Sequence, residues 1–283
     1  MPTVTLRPGI DIYYEEFGHG PPIVFTSCGL GTHKQWDHQV ALLANDFCTI
    51  TYDWCGTGDS SKPNVPYTAE LAVDVLCGLM DSLGVKSTTL VGHGVGNHVN
   101  ILVARKRSDL VGRLAIASGA PWFHGDREGV TGGFSEEFMA FWQERMTQRR
   151  ITNAQAYTDL GDHYLYHHAP HPAVAHYELE QGLAWPLYVL KSYVSDMNTM
   201  DLREISAQLS CPTLVLHGRH DNKQRYGGGV YFSKNIPGAK LVTFEDSAHM
   251  IMLEEMGKFT DEIRKFATTS AHSLKVLNSA NVA

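Results

Sequence analysis

Three short stretches carry residue types, in an order, that suit proton transfer and acyl transfer. The first is Gly92-His93-Gly94-Val95-Gly96. It follows the run Ser87-Thr-Thr-Leu-Val91 and leads into an apolar-periodic segment through Ile101, Leu102 and Ala104. That pattern predicts a strand, a sharp turn and a helix, with glycines where the turn leaves little room. Far downstream, Asp221 closes the apolar run Pro212-Thr-Leu-Val-Leu-His217-Gly218, and His249 follows the apolar run 239–244. Imidazole exchanges protons near neutral pH, and a neighbouring carboxylate holds it in one tautomer. Beside a hydroxyl such a pair makes a nucleophile; beside water or an acidic substrate it makes a base. The apex of the turn is Gly94, which brings no side chain of its own.

Other elements must bring these stretches together. Residues 3–17 alternate as a pair of edge strands, 18–22 form a turn, and 23–26 a short buried strand ending in the small-residue loop Ser27-Cys28-Gly29-Leu30-Gly31. Residues 36–44 read as a helix and 47–52 as a strand. Thr68 caps an amphipathic helix closed by Gly84, and 114–118 is another buried strand. This alternation predicts an α/β fold with a mostly parallel, doubly wound sheet of about eight strands, whose ligands gather at the carboxyl ends. From Trp122 to Arg203 the strand rhythm gives way to helical periods rich in aromatics. The expected organisation is a core of 1–121 and 204–270, a helical cap of 122–203 inserted into it, and a frayed tail of 271–283. Residues 250–266 read as one last amphipathic helix. About half of the cap's rings are expected to pack helix to helix and the rest to face a pocket between cap and core.

Composition narrows the classes. With 283 residues, 43% hydrophobic and 19% charged, the chain is an ordinary globular one with a sizeable core. A net charge of −7 without a basic stripe argues against nucleic acid or an anionic membrane surface as partner. No run of 18 apolar residues and no apolar leader are present, so a cytoplasmic location is expected. The five scattered cysteines read as core thiols. His163 and His167 have the i, i+4 spacing of a metal pair, but Pro170 and Pro172 interrupt the helix around them. His163, His167, His168, His171 and His176 are therefore expected to be exposed rather than ligating.

The order of glycine turn, late aspartate and final histidine resembles the α/β-hydrolase superfamily over about residues 10–266. The loop Asp53-Trp-Cys-Gly56-Thr-Gly58-Asp-Ser60-Ser-Lys62-Pro63 is similar to that superfamily's D-x-x-G-x-G-x-S loop, with Asp53 as an organising carboxylate. The resemblance implies that His249 is the general base, that Asp221 in its His-Gly-x-x-Asp context is the acid, and that the amides of Leu30 and Val95 form the oxyanion hole. Gly94 falls at the nucleophile position of the G-x-S-x-G turn. Cys28 replaces a histidine and Asn97 a glycine that the superfamily usually carries.

Cys28, Gly29, His93, Trp122, Phe138, Trp142, Tyr188 and Met250 are the expected substrate-binding residues. No metal and no cofactor are implied. The resemblance implies cleavage of an ester, a lactone or an activated carbon–carbon bond in an apolar, aromatic small molecule. Gly94 admits three readings. It is an engineered replacement of serine that leaves the chain inactive or weakly active; or a native feature of an enzyme in which His249 activates water or deprotonates substrate, as in lyase or cofactor-free dioxygenase chemistry; or the mark of a binding protein without turnover. The partner is a small molecule, with neither nucleic acid nor membrane, and the oligomeric state, a homodimer included, stays open.

Overall fold

The computed structural model describes residues 2–146 and 164–269. Eight strands form one sheet: β1 (Thr3–Arg7), β2 (Ile10–Phe17), β3 (Pro22–Thr26), β4 (Cys48–Tyr52), β5 (Thr88–His93), β6 (Val111–Ala117), β7 (Thr213–Gly218) and β8 (Lys240–Phe244). Their spatial order is β1-β2-β4-β3-β5-β6-β7-β8. The first two pairings, β1 with β2 and β2 with β4, are antiparallel, and the rest are parallel. Helices flank the sheet: α1 (Asp37–Leu43), α2 (Ala69–Ser82), α3 (Gly96–Lys106), α4 (Glu136–Met146), α5 (Pro172–Leu183), α6 (Leu187–Met197), α7 (Arg203–Ala207), α8 (Gly227–Asn235), α9 (Ile251–Glu254) and α10 (Met256–Thr268). Among the described residues, no helix is long and apolar enough to cross a membrane.

The doubly wound sheet expected from the sequence is present. β5 lies between β3 and β6 and is buried along its whole length, as strands covered on both faces must be. Thr68 caps α2 as expected, its hydroxyl accepting from the Leu71 amide at 3.2 Å. The helices α4 to α6 leave and rejoin the sheet side by side. Trp122 pairs with Asp201 in an antiparallel bridge, and the Leu202 N–H donates to the Pro121 carbonyl at 2.6 Å.

The last helix departs from expectation. It breaks at Glu255, with φ −120° and ψ 52°, into α9 and α10. The break turns two carboxylates back onto the preceding loop. Glu255 accepts from the Ser247 hydroxyl at 2.7 Å, and Glu254 from the Ala248 amide at 2.7 Å. Hydrogen bonds to the loop thus replace helical continuity, a choice that apolar periodicity does not register. Of the histidines with metal-like spacing, His167, His168, His171 and His176 are exposed, as expected; His163 and the tail 271–283 lie outside the described residues.

Burial of one histidine sets an acid sensitivity. His98, on α3, is buried, and burial pushes its ring from 6.5 down to about 4. Between these values the unfolded chain binds a proton that the folded one refuses, so stability rises with pH there and is lost as pH falls. At pH 5 the loss from this ring is about 2 kcal/mol relative to pH 7. Urea unfolding midpoints should therefore drop between pH 7 and pH 5, and less so in His98→Gln. A pH-independent midpoint would remove this account.

Candidate active site

The turn after β5 has room for glycine only at its flanks. A Cβ on Gly96 would lie 2.6 Å from the Ser27 carbonyl, and one on Gly92 2.7 Å from both Asn97 and Asn100 side-chain atoms. Gly94 itself has φ +56°, the left-handed backbone that lifts the apex of such a turn above the sheet. Asn97, where a glycine was the pattern, fastens the turn: its amide donates to the Gly94 carbonyl at 3.0 Å and the Ala117 carbonyl at 2.7 Å. A Cβ built on Gly94 would stand 3.3 Å from Nε2 of His249 and 3.1 Å from Cβ of Cys28. A side chain at this position would face the imidazole.

His249 and Asp221, 28 residues apart in sequence, meet by way of the loops after β7 and β8. Nδ1–H of His249 donates to Oδ2 of Asp221 at 2.8 Å, and both side chains are fully buried. The other carboxylate oxygen accepts from the amides of Lys223 and Gln224, each at 2.9 Å. His217 lies 3.4 Å away on the Oδ2 side. Burial alone would raise the Asp221 carboxyl, but the rings of His249 and His217 hold it well below the ordinary carboxylate range. Burial pushes His249 down to about 4 against the opposing pull of Asp221. The ring is thus neutral at pH 7, its proton on Nδ1 and its lone pair on Nε2. That Nε2 is buried and has no hydrogen-bond partner among the described residues.

A base with these properties predicts a particular pH profile. Activity that needs the neutral ring is present above its pKa and is lost as pH falls through about 4. The acid limb of kcat/KM should therefore lie near 4, rather than near the 6.5 of an unperturbed histidine. A limb at 6.5 would contradict the assignment.

The loop after β3 supplies backbone donors. Leu30 has φ +73°, and the turn is closed by the Gly31 N–H donating to the Cys28 carbonyl at 3.0 Å. Residues of the inserted helices brace this loop from outside: Nε1–H of Trp185 donates to the Gly31 carbonyl at 2.8 Å, and Oε1 of Gln181 accepts from the Thr32 amide at 3.2 Å. The amides of Leu30 and Val95 have no hydrogen-bond acceptor among the described residues. Val95 also precedes α3, where the helix end favours negative charge. Asp53, by contrast, is saturated: its carboxylate accepts from the amides of His33 and Asp59, each at 2.8 Å, and pairs with the His33 ring, as its organising role requires.

A cavity lies over these groups. Its lining includes Gly29, Leu30, Gly94, Val95, Phe138, Trp142 and His249 from among the expected residues. Five other expected substrate-binding residues do not line it, each for a visible reason. His93 is buried as a brace, accepting from Gln35 at Nδ1 and bonding the His249 carbonyl through Nε2 at 3.0 Å. Trp122 is buried against Tyr231, with its N–H on the Gly125 carbonyl. Met250 is buried at the start of α9, and Cys28 is buried below the Gly94 apex. Tyr188 stands 57% exposed, against Tyr67. Sequence reasoning missed Phe123, Phe134, Leu190, Val194, Lys223 and Gln224, which complete the wall. For the last two a signal existed, since they follow Asp221 in the same loop.

The chain as a whole is similar to known proteins. The AB hydrolase superfamily protein YisY of Bacillus subtilis is 24% identical over 262 residues, covering 92% of this chain and 96% of its own. An esterase from Exiguobacterium antarcticum superposes with a TM-score of 0.86 at 20% identity, covering 94% of this chain and 99% of its own. The enol-lactonase from Burkholderia xenovorans LB400 superposes with a TM-score of 0.81 at 24% identity, covering 95% and 100%. At these identities the superpositions speak for the fold alone. A family model of the alpha/beta hydrolase fold matches residues 21–256. With five-sixths of its length inside that match and the eight-stranded order of its sheet, the chain belongs to the alpha/beta hydrolase fold family.

Proposed function

We propose that the chain is an enzyme that cleaves an ester, a lactone or an activated carbon–carbon bond beside a carbonyl, in an apolar and partly aromatic small molecule. The observation that carries this reading is the partnerless, buried Nε2 of a neutral His249, set against Gly94 beneath the cavity. With no side-chain nucleophile at position 94, His249 takes a proton from water, which attacks the carbonyl directly. Asp221 holds the resulting imidazolium, and the amides of Leu30 and Val95 receive the oxyanion. Its collapse re-forms the carbonyl and breaks the bond to the leaving group, which takes the proton back from His249. That an esterase and an enol-lactonase share the fold supports the choice of bond. Without a bound hydroxyl this route is slow, because water is less well placed for attack.

A second reading is favoured by the closeness of Nε2 to the Gly94 position. There the base faces the substrate itself and deprotonates it, as lyase or cofactor-free dioxygenase chemistry requires. Turnover of aryl esters, lactones and 1,3-diketones by the wild type and by His249→Ala tests the proposal, with an oxygen electrode separating the two routes. Hydrolysis without oxygen uptake, lost in the variant, is the expected result. Equal turnover by both proteins would overturn it, and a pure receptor would show no turnover in either.

A further inference from the structure

Lys223 and Gln224 are not consumed by this chemistry. Their backbone amides hold Asp221, and both residues line the cavity beside His249. Lys223 has no hydrogen bond or ion pair through its ammonium among the described residues. Gln224 is fully buried. Its Oε1 accepts from the Ala120 amide at 2.8 Å, which fixes the orientation of the group and leaves Nε2 as the free end. That Nε2 has no partner among the described residues. Lys223, a cation, and Gln224, with its buried and unpaired amide end, therefore stand side by side at one edge of a cavity otherwise walled by Phe123, Phe134, Phe138 and Trp142.

A buried donor without an acceptor, as at the Gln224 amide, is costly unless the ligand supplies what the protein does not. We infer that the substrate is an acid: an aryl or alkyl body seated on the aromatic wall, with a carboxylate or an equally acidic oxygen received by the Lys223 ammonium and the Gln224 amide. A carboxylate has lone pairs for both donors at once. The field around Lys223 agrees with this. Burial pushes its ammonium down, with Cys28, Asp221 and Glu178 opposing, and an anion in the cavity adds to their side. The chemistry also accounts for the placement: donors within two and three residues of Asp221 fix the acid end of the substrate relative to the base.

This inference rests on the cavity serving the proposed activity, and binding measurements keep the two apart. The probes are 3-phenylpropionate and its uncharged isostere 3-phenylpropanamide, titrated calorimetrically into the wild type, Lys223→Met, Lys223→Gln and His249→Ala. The acid is expected to bind the wild type at least about tenfold more tightly than the amide. Both Lys223 variants should lose that preference, and two chemically different replacements guard against one that fails to fold. His249→Ala should keep it, so acid recognition is read where turnover is removed. Equal affinity for the two probes, binding of neither, or a preference that survives at Lys223→Met and Lys223→Gln would each overturn the assignment. Normal turnover in His249→Ala together with an intact acid preference would instead strike down the hydrolytic reading and leave this one standing.

Discussion

Replacing His249 with alanine is expected to lower kcat/KM by about a hundredfold or more, while ligand affinity stays near that of the wild type. The reason is the uncommitted lone pair on Nε2 of the ring. Nδ1 is committed to Asp221 at 2.8 Å, and the brace from His93 holds the His249 backbone rather than its ring. With the imidazole removed, nothing else among the groups lining the cavity is both near Gly94 and basic enough to take a proton. Lys223 is the other titratable side chain in the lining, and its place is assigned to the acid end of the substrate. Asp221→Asn should fall almost as far, since an amide cannot accept from Nδ1–H and also stabilise a positive ring. Stopped assays with an activated aryl ester check both. A His249→Ala enzyme within a few-fold of the wild type would show that the proton goes elsewhere.

The second large effect runs the other way. Gly94→Ser is expected to raise hydrolysis of simple activated esters by on the order of a hundredfold or more, with an initial burst of product as the acyl-enzyme accumulates. The rest of the site is already arranged for it: turn, base, acid and two free amides. The substitution carries a strain. Serine at φ +56° costs about 1–2 kcal/mol of stability, and its Cβ would meet Cys28 at 3.1 Å and His249 at 3.3 Å, so both neighbours must give by a few tenths of an ångström. A lower unfolding midpoint should therefore accompany the gain in rate. Intact mass after treatment with a serine-directed phosphonate reads the outcome directly. A serine form that stays inert and takes up no phosphonate would end the reading of position 94 as a vacated nucleophile place.

The contrast between what the sequence showed and what it hid is one of chain against side chain. The glycine turn, Asp221 and His249 were legible because each sits at the end of a buried apolar run, and a strand end is a local pattern. The Leu30 loop was legible for the same reason. Which way a side chain leaves a loop is not local. His93 and Gly94 are adjacent, yet one ring braces the β8 loop from inside while the other position opens on the cavity. Trp122 and Phe123 divide in the same manner, the first buried against Tyr231 and the second in the cavity wall. Lys223 and Gln224 were passed over because loop lysines are usually solvated; only the path of the loop turns them inward. The break at Glu255 was hidden by good helical periodicity on both sides, overridden by two carboxylates that bond the loop instead.

The inserted helices reach both halves of the machinery. Trp185 and Gln181 grip the Leu30 loop, while the Leu165 carbonyl accepts from the amides of His249 and Met250, each at 3.0 Å. Glu254 adds a tie from the other side, accepting from the His167 and His168 amides as well as from Ala248. Selectivity and speed are consequently not independent dials in this molecule. Altering the roof to admit a new compound tugs on the loops that carry Leu30 and His249, so recruits for fresh specificity will surrender turnover unless those seven ties are spared.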